Sequence, residues 1–220
     1  ARVHLGYGRS GSFRGVPLGP DLVPVISEDR VIVNGHGRFV DHMCVPCGGG
    51  TFLHVASGRV RRPDDSAWAT PVGADLGAGT TRTIVRESTT LATNDPAAVC
   101  AGPVVAVGLA GAGEPGDVLP PDWLYVLDDE FFAGGEVASV ADASVASRMT
   151  GNSMLWDDAA GALRVFGMEP EVGLVVATFD GGLEPMEIVE AWPDLPADQH
   201  PYWAQGVASA GGATLLAHMV

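Results

Sequence analysis

The chain contains no lysine, so all twelve of its cationic side chains are arginine. It is also poor in cysteine, with three, and in aromatic residues, at 7%. Three cysteines in 220 residues cannot build a disulfide framework, and the odd number leaves at least one thiol outside any intrachain bridge. A reducing compartment or an assembly site is the expected setting. No apolar run reaches the roughly 20 residues of a membrane-crossing helix; the longest, residues 99–113, is cut by Pro103 and several glycines. The opening residues, Ala1-Arg2-Val3-His4, lack the apolar core of a secretory signal. A soluble, unexported chain is therefore expected. The missing lysine is read as compositional bias and carries no functional weight.

Glycine and proline, at 30 and 16 residues, are abundant and follow no collagen-like period, which predicts many turns and few long helices. A hydrophobic fraction of 46% argues against general disorder. The net charge of −15 is divided unevenly: residues 1–86 hold ten arginines against seven acids, and residues 87–220 hold two against twenty. An acidic surface repels nucleic-acid phosphates and anionic lipid, so neither nucleic acid nor membrane is an expected partner. The shift near residue 87 also suggests an organisation. Residues 1–21 are expected as an extended N-terminal arm, 22–86 as an N-terminal β lobe, and 87–220 as an acidic, barrel-like C-terminal domain.

Strand signals dominate the chain. Within residues 151–192, apolar runs at 153–156, 162–166, 172–179 and 185–192 alternate with turn clusters, among them Asp157-Asp158-Ala159-Ala160-Gly161 and Asp180-Gly181-Gly182. Asp and Gly tolerate the positive φ of tight turns, so this stretch reads as a β-meander. Val31-Ile32-Val33 followed by Asn34-Gly35 and Arg38-Phe39-Val40 reads as a hairpin. Further strands are expected over 80–90 and 104–107, with a last hairpin about Gly211-Gly212; residues 137–149 fit a strand, a short helix, or both in succession. The expected fold is mostly β, an antiparallel barrel or sandwich of short strands with an extended N-terminal arm and long loops.

The most chemical-looking segment holds His36, His42, Cys44, Cys47 and His54. Zinc favours nitrogen and sulfur ligands in a tetrahedron, and a Cys-x-x-Cys turn can give two thiolates to one ion, so His42, Cys44, Cys47 and His54 are the candidate ligands. A second Cys-x-x-Cys is missing and Cys100 stands alone, so the favoured reading is strand-end cysteines and surface histidines, with no cofactor. Gly6-Tyr7-Gly8-Arg9-Ser10-Gly11 matches a dinucleotide fingerprint in letters only, since Pro17 and Pro20 break the helix that should follow. Asp122, Asp128, Asp129 and Glu130 show no ligand spacing and read as solvated acids. Without a nucleophile elbow or a recognisable triad context, no enzymatic activity is expected. Arg2, Arg9 and Arg14 of the arm, and Arg59, Arg61 and Arg62 of a polar loop, are the expected contacts with a partner protein.

Residues 151–156, the Trp156-Asp157-Asp158-Ala159-Ala160-Gly161 turn, and Val172-Gly173-Leu174-Val175-Val176-Ala177 leading through a Gly-Gly turn into a last strand resemble the end of phage capsid decoration (head cement) proteins. Residues 104–113 resemble an earlier strand of that family. The resemblance implies a structural protein on the outer surface of a virion, made in the host cytoplasm, that grips the major capsid protein and forms homo-oligomers, commonly trimers. A second, shorter resemblance is to PAAR-type metal-binding spike tips of contractile injection machines. It rests on Val31 through Gly35, Asp41, Cys44 and His54, with Gly37-Arg38-Phe39-Val40 standing where that family has its Pro-Ala-Ala-Arg run.

Overall fold

The computed structural model describes residues 4–9, 12–34, 38–61, 64–88, 93–101, 104–111, 124–139, 150–169, 173–190, 203–210 and 213–219. The strands follow one another in five antiparallel meanders, each hydrogen-bonded to its neighbours in chain order. The first contains β1 (His4–Arg9), β2 (Ser12–Pro17) and β3 (Arg30–Val33). The second contains β4 (Arg38–Gly48), β5 (Thr51–Arg61), β6 (Asp64–Val72) and β7 (Arg82–Ser88). The third contains β8 (Thr93–Ala101), β9 (Val104–Gly111), β10 (Leu124–Val126) and β11 (Ala138–Ser139), with the helix α1 (Asp129–Ala133) between the last two. The fourth contains β12 (Thr150–Asp157), β13 (Ala162–Glu169), β14 (Gly173–Phe179) and β15 (Pro185–Glu190). A hairpin of β16 (Trp203–Ala210) and β17 (Ala213–Met219) ends the series. The protein is thus mostly β and antiparallel, and no sheet closes into a barrel among the described residues.

Successive residues of a strand face opposite ways, so each sheet divides its apolar side chains between two neighbours. On β5, Leu53 and Val55 enter a core shared with Ala98, Val107 and Tyr125 of the third sheet. On β8, Ala97 and Val99 turn the other way, into a core with Met154, Trp156, Leu163, Val165, Ala177 and Phe179 of the fourth. The β8–β11 sheet is therefore buried on both faces. Three of its buried facing positions are alanine, Ala97, Ala98 and Ala106, each at most 5% exposed, which lets the neighbouring sheets approach closely there. A third core, of Phe13, Ile32, Val33, Val72 and Leu76, joins the first sheet to the second. Fully burying a leucine or phenylalanine contributes about 1.5–3 kcal/mol, so these three seams hold the layers together.

The layering has a period. Strands β4, β8, β12 and β16 begin at residues 38, 93, 150 and 203, and each packs on the next. This is sandwich packing repeated in series, as the blades of a β-propeller follow one another. A second device marks the same period. The chain enters β3, β7 and β15 through closely similar turns in which Leu22, Leu76 and Leu183 take φ of 61°, 62° and 64°. In each, the leucine N–H donates to the carbonyl three residues back, on Gly19, Gly73 and Asp180 respectively, at 2.9–3.0 Å. An aspartate in each turn, Asp21, Asp75 or Asp180, accepts a further backbone N–H. A left-handed leucine costs roughly 1–2 kcal/mol, an amount that burial offsets at Leu76 and Leu183, 7% and 6% exposed. Both leucines point back toward the preceding sheet, into the seams given above. In the β8–β11 sheet, α1 takes the place of this turn and buries Phe131 in the same sense.

The four predicted strands of residues 151–192 are observed as β12–β15, and the final hairpin as β16–β17. Two expectations differ. Residues expected as an N-terminal arm are extended but paired, His4 opposite Pro17 through Arg9 opposite Ser12. Gly15 lets β2 lie close to β3 and the second sheet, because a Cβ there would run into Ile32 Cδ1. The hairpin expected about Asn34-Gly35 is not seen among the described residues, where β3 and β4 belong to different sheets; residues 35–37 lie outside them. β3 pairs with β2, whereas β4 turns through Gly48, Gly49 and Gly50, all at positive φ, to pair with β5. The glycine-rich turn joins two eleven-residue strands that pair along their length, whereas β3 is only four residues long and ends its sheet as an edge strand. As for the expected boundaries, residue 21 lies in the turn joining β2 to β3, and residue 86 lies within β7.

Candidate functional site

The face of β4 and β5 that meets the first sheet collects the polar side chains singled out in the sequence. Alternation along β4 places His42, Cys44 and Pro46 on this face and Met43, Val45 and Cys47 on the other. Across the ladder, Cys44 stands opposite His54 and His42 opposite Ala56. Phe13 of β2 covers them, stacked on His54 with ring centroids 4.3 Å apart and planes 20° apart. It also meets His42 edge-on at 5.6 Å, and the two imidazoles lie 5.7 Å apart.

His54 is 1% exposed. Burial, and secondarily the charge of His42, lower its pKa to about 3, so the ring is neutral at physiological pH and is a poor proton acceptor. Cys44 is exposed as a residue, yet the surrounding protein desolvates its thiol and raises its pKa to about 11. Such a thiol is neither a nucleophile nor a ready metal ligand at neutral pH. Beside these groups lies a cavity of about 380 Å³, lined by Phe13, Ile32, Cys44, Phe52, Val72 and Leu76 among others. Its walls suit an apolar group, and the two perturbed side chains give it no acid–base pair.

The Cys-x-x-Cys pair is not a chelate. Three residues apart on a strand, Cys44 and Cys47 face opposite ways, and Cys47 is bonded to Cys100 of β8, with Cα atoms 4.7 Å apart. Among the described residues, no three His, Cys, Asp or Glu side chains are gathered so as to hold a metal ion. The sequence reading that left Cys100 alone is corrected accordingly. A signal for the bridge was present, since Cys47 precedes Gly48-Gly49-Gly50 and Cys100 precedes Ala101-Gly102-Pro103, matching positions in adjacent meanders. The bridge lines a wider groove of about 620 Å³ with Thr51, Pro71, Asp75, Val105 and Phe132.

The arginines expected at a partner surface are dispersed. Arg14 pairs with Asp29 at 3.0 Å, and its Nε donates to the same carboxylate, so this guanidinium ties β2 to the segment before β3. Arg9 lies on β1, and Arg59 and Arg61 lie on β5 with Asp65 and Asp64 as register partners. The stretch expected as a polar loop is therefore mostly strand, and the residues that follow the arginines, Ser66 through Thr70, are all buried in β6. Arg2, Arg62, His36 and Asp122 lie outside the described residues. Asp128 caps α1, accepting the Phe131 N–H at 2.7 Å, while Asp129 and Glu130 occupy its first turn, where the helix dipole favours acids. Sequence reading missed Arg82, which donates to the Gly135 carbonyl at 3.0 Å and lies 5.6 Å over the Phe131 ring.

No protein-family model matches this chain, and no curated protein matches it at a significant level.

Proposed function

We propose that this chain is a structural protein, and specifically a phage capsid decoration protein that stabilises the head by bridging major capsid subunits from outside. The observation that carries the structural reading is the fate of its chemical-looking segment. His54 is stacked under Phe13 and held neutral, and Cys47 is consumed in a bridge between two sheets. Side chains that could have made a metal or catalytic site serve instead to hold layers together. The capsid setting rests on the resemblance carried by residues 151–192, which form the β12–β15 meander. An intrachain disulfide also suits it, because virion surfaces are among the places where disulfides persist.

A protein that binds only the assembled lattice stabilises that lattice by mass action, about 2.7 kcal/mol per site at a hundredfold excess over Kd. Purified protein mixed with expanded capsids that lack decoration should co-sediment in proportion to the major capsid subunits and raise the temperature at which the heads rupture. Failure to co-sediment overturns the reading. For the spike-tip alternative, whose matched positions include Asp41, Cys44 and His54, elemental analysis decides. A stoichiometric transition metal lost on replacing Cys44 or His54 would favour it.

A further inference from the structure

We propose that the Cys47–Cys100 bridge is a redox-sensitive latch on the seam between the second and third sheets, closed in oxidising surroundings and opened by a dithiol reductant while the chain stays folded. The latch is independent of the capsid reading.

The first observation is where the bridge lies. It joins the penultimate residues of β4 and β8, across a separation of 53 residues. Both cysteines are half-buried and not enclosed in the core. Both line the groove of about 620 Å³ at this end of the seam, together with Thr51, Asp75 and Phe132. A small thiol can therefore reach the sulfurs while the layers stay packed, whereas a bridge sealed in a core is attacked only after global opening. The third cysteine, Cys44, lies on the opposite face of β4 and does not compete for either sulfur.

The second observation is what the bridge holds. Along β4, Met43, Val45 and Cys47 face the third sheet, and the first two pack on the core that Leu53, Val55, Ala98 and Val107 form. That core closes the deep part of the seam without the bridge. Beyond Cys47 the chain passes through Gly48, Gly49 and Gly50, all exposed and at positive φ, and a Cβ at either of the first two would meet nothing within 4 Å. The next apolar side chain, Phe52, packs on the core of the first seam. The disulfide is thus what ties the β4–β5 turn to the end of β8.

Opening the latch is thiol–disulfide exchange. A thiolate of the reductant attacks one sulfur, forming a mixed disulfide and releasing the other cysteine as a thiolate, which takes up a proton. The second thiol of the reductant then displaces the remaining cysteine. The bridge gains two electrons and two protons, and the dithiol that lost them closes to a cyclic disulfide. The mouth of the seam is then held by packing alone, and the β4–β5 turn is free to part from β8.

Dithiothreitol added to the intact chain without denaturant tests this, with thiols counted by the mass that maleimide adds after an acid quench. The count should rise from one to three, at least tenfold faster than the chain unfolds globally, with the circular dichroism of the parent retained. Hydrogen exchange should quicken at least tenfold in peptides covering residues 48–51 and the end of β8, and stay unchanged in β12–β15. Re-oxidation should reverse both changes. The double variant Cys47→Ser, Cys100→Ser should show the faster exchange with or without reductant, whereas Cys44→Ser should respond as the parent does. Reduction no faster than global unfolding, loss of the fold on reduction, or exchange unchanged by it overturns the latch. Capsid binding by the oxidised chain would leave the decoration reading intact in each of those cases.

Discussion

His54 makes stability depend on pH in a predictable direction. In the unfolded chain its imidazole should titrate near 6.5, whereas in the folded chain burial and the nearby His42 lower the pKa to about 3. A histidine with a depressed pKa binds its proton more readily when unfolded. Its contribution is therefore complete above pH 6.5 and is lost progressively as pH falls toward 3. The slope is about 1.4 kcal/mol per pH unit, so about 2 kcal/mol should disappear between pH 7 and pH 5. Carboxylates also titrate in acid, so the measurement is a difference. His54→Phe preserves a ring against Phe13 and removes the titration. Urea unfolding of both proteins at pH 7 and pH 5 should show the wild type losing about 2 kcal/mol more than the variant. Replacing His42 with Gln should raise the folded pKa of His54 and narrow the window, because the secondary cause is then gone. Equal losses in the parent and His54→Phe would refute the burial argument.

Three further perturbations test the scaffold. Replacing Cys47 and Cys100 with Ala frees a closed loop with a sequence separation of 53 residues, and should cost about 4 kcal/mol in urea unfolding, matched by adding reductant to the parent. Gly15→Ala drives a methyl into Ile32 Cδ1 and should cost about 1–3 kcal/mol; Ile32→Val in the same chain should recover part of the lost melting temperature. Asp128→Ala removes the acceptor of the Phe131 N–H and should cost about 1 kcal/mol, whereas Asp128→Asn should retain most of it, both read from thermal melts.

Local turn chemistry made much of this fold legible. Asp157 through Gly161 and Asp180-Gly181-Gly182 each mark a place where two consecutive strands join, and from Val175 to Phe179 buried and half-buried residues alternate as a strand's two faces require. The Asn34-Gly35 signal misled because turn residues register only a local preference, whereas β4 and β5, eleven residues each, pair along their length. The candidate site was misread for a related reason. Residue spacing places Cys44 and Cys47 three apart, but only the knowledge that they share a strand, with side chains on opposite faces, separates one into the His54 layer and the other into the bridge with Cys100.

The serial repeat escaped sequence reading because its signals are physical equivalents with different letters. The first turn of a meander is Gly48-Gly49-Gly50 in one sheet and Asp157 through Gly161 in another, and the buried plug is Leu76, Phe131 or Leu183. What is held constant is the conformation and the direction of burial, which several residues satisfy. In a series of this kind each layer draws its stability mainly from the two it touches. The β8–β11 sheet, covered on both sides, can therefore be built from alanines, while the terminal layers must end the series with a polar face or meet another surface. Leu22 of the first layer, exposed in a turn whose counterparts Leu76 and Leu183 are buried, follows the second course.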